Sequence, residues 1–151
     1  MDKFTIRQLI TETLTEIHLY SDAALNLLLG TGAHESLNWQ YRRQMGNGPA
    51  LGLFQMEPFT HDDCWNNYLN YYPKLAQSIL MVSGMLVPDS SALETNDVYA
   101  ICMARVKYLR DPQPIPTDLH GQAAYWKRVY NTHLGKGTVE EYITHYNKYV
   151  A

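Results

Sequence analysis

The stretch LLLGTGAHES, residues 27 to 36, ends an apolar run on a carboxylic acid, Glu35, after two glycines. If a helix continues through Gly30 and Gly32, Glu35 lies seven residues beyond Leu28 and shares its face. The carboxyl then points toward whatever Leu25 and Leu28 pack against. Burial disfavours the charged form, so such an acid keeps its proton near neutrality. A protonated carboxyl at a cleft edge is what general acid catalysis requires. The glycines cost about 1 kcal/mol each relative to alanine, a loss that close backbone packing or access for a ligand would offset. Alternatively, the helix stops at Gly30 as an ordinary C-cap and leaves Glu35 exposed as the first-turn acid of another helix. Periodicity leaves both readings open.

Other reactive groups carry less. FTHDDCW, residues 59 to 65, gathers His61, Asp62, Asp63 and Cys64. Consecutive residues point around a helix rather than at one centre, and no second His/Cys cluster completes a metal site. Thr60 as an N-cap, with acids in the first turn, accounts for the same letters. No metal and no cofactor are expected, and no HExxH, Walker loop or dinucleotide fingerprint is present. Cys64 and Cys102 lack ligand spacing and fall in expected helices, which predicts buried free thiols. His34 reads as a packing or surface residue rather than an acid–base partner of Glu35. Arg105 shares a face with Ile101, Cys102 and Leu109, and is expected to pair with a buried acid. Tyr68, Tyr71, Tyr72, Tyr142, Tyr146 and Tyr149 fall at helical spacings that suit a core rim.

Helices must position these groups, because helical periodicity recurs along the chain and period-2 alternation hardly appears. Ile6, Ile10, Leu14 and Ile17 form one stripe. Ser21 is the expected N-cap of a second helix carrying Leu25, Leu28 and Leu29. From Trp39 to Phe59 the pattern weakens, and Gly46, Gly48, Pro49, Gly52 and Pro58 punctuate it as in a loop or short hairpin. Thr60 then caps a helix bearing Trp65, Tyr68, Leu69 and Tyr72. A further helix follows Pro73, with Leu75, Ile79, Val82 and Leu86 on one face, ending before Pro88. Asn96 or Thr95 starts the next, and DPQPIP, residues 111 to 116, stops it. Two more are expected, one around Trp126 and one opened by Thr138-x-x-Glu141, a capping-box spacing.

The expected fold is a mainly α single domain over residues 1–151, with an irregular segment at residues 39–59. A hydrophobic content of 46% with 18% charged residues excludes general disorder. The net charge of −3 offers no basic face for nucleic acid and no polybasic tail for anionic membranes. MDKFTIRQLITETLTEIHLY is amphipathic and lacks the apolar core of a signal peptide. No run approaches the length of a membrane span. Synthesis as a soluble cytoplasmic chain without membrane insertion is expected, with export dependent on another system.

AHESLNW, a glycine-punctuated gap, and then GPALGLFQMEPFT (residues 48 to 60) together resemble the lysozyme-like superfamily of peptidoglycan-cleaving proteins. Lytic transglycosylases and goose-type lysozymes are the most similar. Their ES pair at a helix end corresponds to Glu35-Ser36. Their G-L-M-Q block corresponds to Gly52-Leu53-Phe54-Gln55-Met56, with Phe54 in place of the usual Met. ARVKYL, Ala104 to Leu109, resembles the family's helix ending in Tyr-Leu. VYNTHLGKGTV, residues 129 to 139, resembles its Tyr-Asn-x-Gly-x-Gly-x-Val element, although THLGKG is longer than the usual connection. The resemblance touches residues 22 to 139.

The resemblance implies a lysozyme-like fold and cleavage of the bond between N-acetylmuramic acid and N-acetylglucosamine, with Glu35 as the acid. Gly52 to Met56 would line the floor of the sugar cleft, Gln55 offering its amide. Tyr130, with Asn131 beside it, would sit near Glu35 and position it or the sugar, and Ser36 would hold the helix end. The tyrosines could add stacking surfaces for sugar rings. Glu57 is the candidate second carboxylate. Goose-type lysozymes carry an Asp at the matching place, assigned to activating water. Transglycosylases commonly lack an acid there and let a sugar hydroxyl attack. Inverting hydrolysis would need the two carboxyls about 6.5–9.5 Å apart. Glu57 facing solvent would favour the anhydro-forming route, or leave it an exposed acid complementing a helix dipole.

By the same analogy, the implied partners are peptidoglycan glycan strands, met at the cell wall or periplasm after delivery from a virion or through a holin-type system. The rival readings are a catalytically inactive phage structural or assembly protein with the same fold, and a carbohydrate-binding module. The THLGKG connection and the acidic net charge support the first rival.

Overall fold

Asp2 and Ser21 open the first two helices. The Asp2 carboxylate accepts the Phe4 and Thr5 backbone N–H groups at 2.9 Å and starts α1, Lys3–Glu16. Ser21 Oγ accepts the Ala24 N–H at 3.0 Å and starts α2, Asp22–Glu35. Each cap satisfies first-turn amides that have no helical partner. On α1, Ile6, Ile10 and Leu14 are fully buried along one face, and each contributes roughly 1.5–3 kcal/mol of hydrophobic stabilisation. Helix α2 is buried all round from Leu27 to Ala33, because α8, α1 and α6 pack against it.

The computed structural model describes residues 1–40, 42–43, 48–132 and 135–151. Gly46, part of the irregular segment, and His133 and Leu134 of the THLGKG connection lie outside the described residues. The remaining helices are α3, Pro58–Asn67, α4, Pro73–Ser83, α5, Ala92–Thr95, α6, Asp97–Leu109, α7, Leu119–Tyr125, and α8, Val139–Tyr149. A 3-10 turn, Leu69–Tyr71, follows α3, and a π-helical turn, Trp126–Asn131, continues α7. Among the described residues, β pairing is confined to two isolated bridges, Arg43 with Leu51 and Leu51 with Met56. The chain is mainly α, and α2 and α6 form the centre of one hydrophobic core.

Asn96 Oδ1 accepts the Tyr99 N–H at 3.1 Å to open α6, and Thr138 Oγ1 accepts the Glu141 N–H at 3.1 Å to open α8. Other expectations need correction. Helix α3 begins at Pro58 rather than after Thr60, because proline's fixed φ suits the first helical position. Helix α4 stops at Ser83, where Gly84 takes a left-handed φ of 68°, so Leu86 leaves the apolar stripe and is exposed. Among the described residues no acid pairs with Arg105; its Nε donates to the Leu19 carbonyl at 3.2 Å. The FTHDDCW side chains do not converge on one centre: His61 bonds the Tyr99 hydroxyl at 2.6 Å and Asp62 at 2.9 Å, and Asp63 pairs with Arg110 at 2.6 Å. Cys64 and Cys102 are buried free thiols. No helix among the described residues is long and apolar enough to cross a membrane.

Candidate active site

Helix α2 continues through both glycines because two aromatic rings occupy the space a side chain would need. A Cβ at Gly30 would lie 2.2 Å from the Tyr142 hydroxyl, and one at Gly32 would lie 2.7 Å from the Trp39 indole. Tyr142 belongs to α8, and its hydroxyl donates to the Leu27 carbonyl at 3.1 Å. Glu35 is therefore the last residue of α2. Ser36 Oγ donates to the Gly32 carbonyl at 2.9 Å and holds the helix end. Leu37, Asn38 and Trp39 then take φ values of 48°, 63° and 60°. Left-handed backbone costs roughly 1–2 kcal/mol per non-glycine residue; burial of Trp39 against Gly32 helps offset it.

The Glu35 carboxyl is half-buried, and Trp126 Nε1 donates to its Oε2 at 3.0 Å. Burial pushes its pKa up from the ordinary 4.5 to about 7, while the Trp126 donor and the Lys107 charge pull the other way without prevailing. A carboxylate in the last turn of a helix also opposes the helix dipole. His34, the preceding residue, packs edge-on against Trp126 with ring centroids 4.7 Å apart. Its Nδ1 is hydrogen-bonded to His145 Nδ1 at 2.7 Å, one ring donating and the other accepting. Burial, and then the charge of His145, push His34 down from 6.5 to about 4, against an opposing pull from Glu141. His34 is thus a neutral packing group behind the acid's tryptophan partner.

A cleft of about 930 Å3 collects Glu35, Gln55, Met56, Glu57, Tyr130 and Asn131 on its walls. The other four sequence-derived site residues do not line it. Leu53 and Phe54 are buried in the core, Ser36 is buried beneath the helix end, and Gly52 forms a turn. The reason is the tight loop from Leu51 to Met56, whose ends exchange backbone hydrogen bonds at 3.0 and 3.1 Å. Gly52 supplies a φ of 81° there, and a Cβ would fall 2.0 Å from the Leu93 carbonyl oxygen. The loop turns Leu53 and Phe54 inward, so of the expected five-residue floor Gln55 and Met56 remain on the cleft, Met56 almost wholly buried. Gln55 Nε2 itself donates to the Gly52 carbonyl at 3.0 Å and braces the loop.

The π-helical turn supplies the opposite support. Such turns are rare and concentrate at functional sites. This one begins with Trp126 and includes Tyr130, whose hydroxyl donates to the Phe54 carbonyl at 2.6 Å. The Tyr130 ring stacks on Tyr108 at 5.3 Å, so it ties the Leu51–Met56 loop to the turn that holds Glu35. Asn131 Oδ1 accepts from Lys127 at 2.6 Å. Lys107 Nζ donates to the Tyr130 carbonyl at 2.9 Å and lies 4.5 Å from the centre of that ring. Burial lowers the Lys107 pKa, opposed by nearby groups that include Glu35 and Glu57. Glu57 is exposed at the cap position of α3, with no capping bond from its side chain.

Trp126 and Lys107 are among the residues of this site that sequence reasoning missed, as are Leu37 and Phe59 on the cleft wall. Lys107 lies inside ARVKYL, and Trp126 lies one helical turn before Tyr130; those were the signals available. Among the described residues, no group of three or more His, Cys, Asp or Glu side chains is arranged to hold a metal ion. The arrangement can hold one proton near neutrality inside a cleft, give it up, and take it back. No protein-family model matches the chain, and no curated protein and no solved structure matches it.

Proposed function

We propose that this protein cleaves the glycan strands of peptidoglycan, with Glu35 as the general acid. The observation that carries this reading is the Glu35 carboxyl at the end of α2, on the wall of a cleft and held by Trp126 Nε1, where burial raises its pKa to about 7. In its protonated form it can protonate a bridging sugar oxygen as the glycosidic bond breaks and positive charge builds on the ring. The choice of sugar polymer rests on the resemblance of the Glu35-Ser36 pair and the Gly52–Met56 block to the lysozyme-like superfamily.

Exposure of Glu57 favours the anhydro-forming route over hydrolysis through a second sheltered carboxylate. A hydroxyl of the same sugar attacks the anomeric carbon, the leaving oxygen takes the Glu35 proton, and the ionised Glu35 then accepts the hydroxyl proton. The acid is regenerated and no water is consumed. Zymograms on purified cell walls test the reading with wild type and Glu35→Gln. Clearing by the wild type and none by the variant supports it. Clearing by both removes Glu35 from the chemistry, and clearing by neither removes the activity. Mass spectrometry of the fragments separates the routes, because anhydro ends are lighter than hydrolysed ends by one water.

A further inference from the structure

Helix α3 turns His61, Cys64 and Trp65 into the core. Phe59 lies on its other face, with Asp62 and Asn66 three and seven residues on, and both of these are exposed. A polar residue is the ordinary choice for such a face. Phe59 is instead 80% exposed, so its ring adds little to folding. It does line the cleft that contains Glu35, alongside Gln55, Glu57 and Asn131. Leu37 is a second exposed apolar side chain on the same cleft.

We propose that Phe59 is a stacking platform for a pyranose ring of the bound glycan strand. The proposal rests on the reading of the cleft given above and extends it to a specific subsite. A pyranose ring presents C–H groups on its faces and hydroxyl or acetamido groups around its rim. It is therefore matched by one flat apolar surface bordered by hydrogen-bonding side chains. The Phe59 ring and the polar groups of Gln55, Glu57 and Asn131 supply those two elements. Pro58 at the first position of α3 fixes the backbone immediately before the ring, so the platform's main chain needs no ordering on binding.

The test uses Glu35→Gln as parent, so that no strand is cut during the measurement. Binding of a hexamer of N-acetylglucosamine is followed by calorimetry, and binding to purified cell walls by co-sedimentation. Phe59→Ala should weaken hexamer binding about tenfold, with an unchanged melting temperature because the ring is exposed. Phe59→Tyr and Phe59→Trp should bind like the parent. In the active chain Phe59→Ala should raise KM and leave kcat in place. Equal binding by Phe59→Ala and the parent, failure of the aromatic variants to retain affinity, or no hexamer binding by the parent would each overturn the platform. Wild-type clearing with an unchanged KM in Phe59→Ala sinks the platform alone. Phe59-dependent binding without wild-type clearing sinks the acid and keeps the platform.

Discussion

Glutamine at position 35 is a neutral counterpart of the protonated acid, and its carbonyl can still accept the Trp126 Nε1–H. Its effect on stability should therefore depend on pH in a way that reports the wild-type proton. The folded-state pKa of Glu35 is raised from 4.5 to about 7, so the folded chain binds more protons than the unfolded chain across that window. Stability from this group is complete below 4.5 and is lost as pH rises through 7. With about 1.4 kcal/mol for each tenfold in proton affinity, the Glu35 contribution to wild-type stability falls by about 3 kcal/mol by pH 8.5. Glu35→Gln loses none of it. Urea denaturation of both chains at pH 4.5 and 8.5 should give nearly equal stabilities at the lower pH. At the higher pH the variant should lead by about 3 kcal/mol, which corresponds to roughly 6–12 °C in melting temperature for a chain of this size. A difference that is the same at both pH values, or zero at both, would show that the carboxyl is not sheltered and would remove the basis for its proton.

Trp126→Phe deletes the donor that favours the Glu35 carboxylate, so the alkaline limb of the pH–activity profile should move to higher pH, on the order of one unit, in cell-wall clearing assays. Gly32→Ala should destabilise by about 1–3 kcal/mol in urea titrations, because its Cβ would crowd the Trp39 indole, although helix propensity alone predicts a gain of about 1 kcal/mol. His34 is depressed from 6.5 to about 4 in the folded chain, so stability is present above 6.5 and lost as pH falls toward 4. Thermal melts of wild type and His34→Gln across this range should differ in slope, the stability of the wild type relative to the variant falling by on the order of 2 kcal/mol toward pH 4 after allowance for partial exposure.

Where one local rule settled a position, the sequence was readable. Ser21, Asn96 and Thr138 each cap the helix expected of them, because a short polar side chain before an apolar-periodic run satisfies amides within three residues. The Ile6, Ile10 and Leu14 stripe likewise needed only its spacing. Thr60 misled because Pro58, two residues earlier, starts the helix by fixing φ. Leu53 and Phe54 misled because a tight loop has no period from which to read which side chains turn inward. The continuation of α2 past Gly30 could not be decided locally. Its reasons are Trp39 and Tyr142, and the latter arrives from the far end of the chain. Trp126 is 91 residues from Glu35, and no spacing within either segment announces their contact. The acid's inward face was one of two readings the spacing allowed; what decides it, and the donor that holds the carboxyl, are products of tertiary packing.

His34 and Glu35 are adjacent residues under one physical influence with opposite consequences. Burial penalises charge, so it takes the proton off the imidazole at all but low pH and keeps it on the carboxyl up to neutrality. From about 4 to about 7 both side chains are neutral in the folded chain. Their contributions to stability then run against each other: the Glu35 contribution falls as pH rises from 4.5, and the His34 contribution grows as pH rises to 6.5. A nearly flat stability profile follows for the wild type in that interval, whereas Glu35→Gln should slope upward with pH and His34→Gln downward. The same neutrality would serve the proposed glycan cleavage. In that reaction an uncharged carboxyl would meet a sugar oxygen without an ion first being stripped of water, with the proton to be donated already in place. Sheltering the acid thus makes it a proton donor near neutrality, and sheltering the histidine beside it keeps a second charge away from the tryptophan that holds that donor.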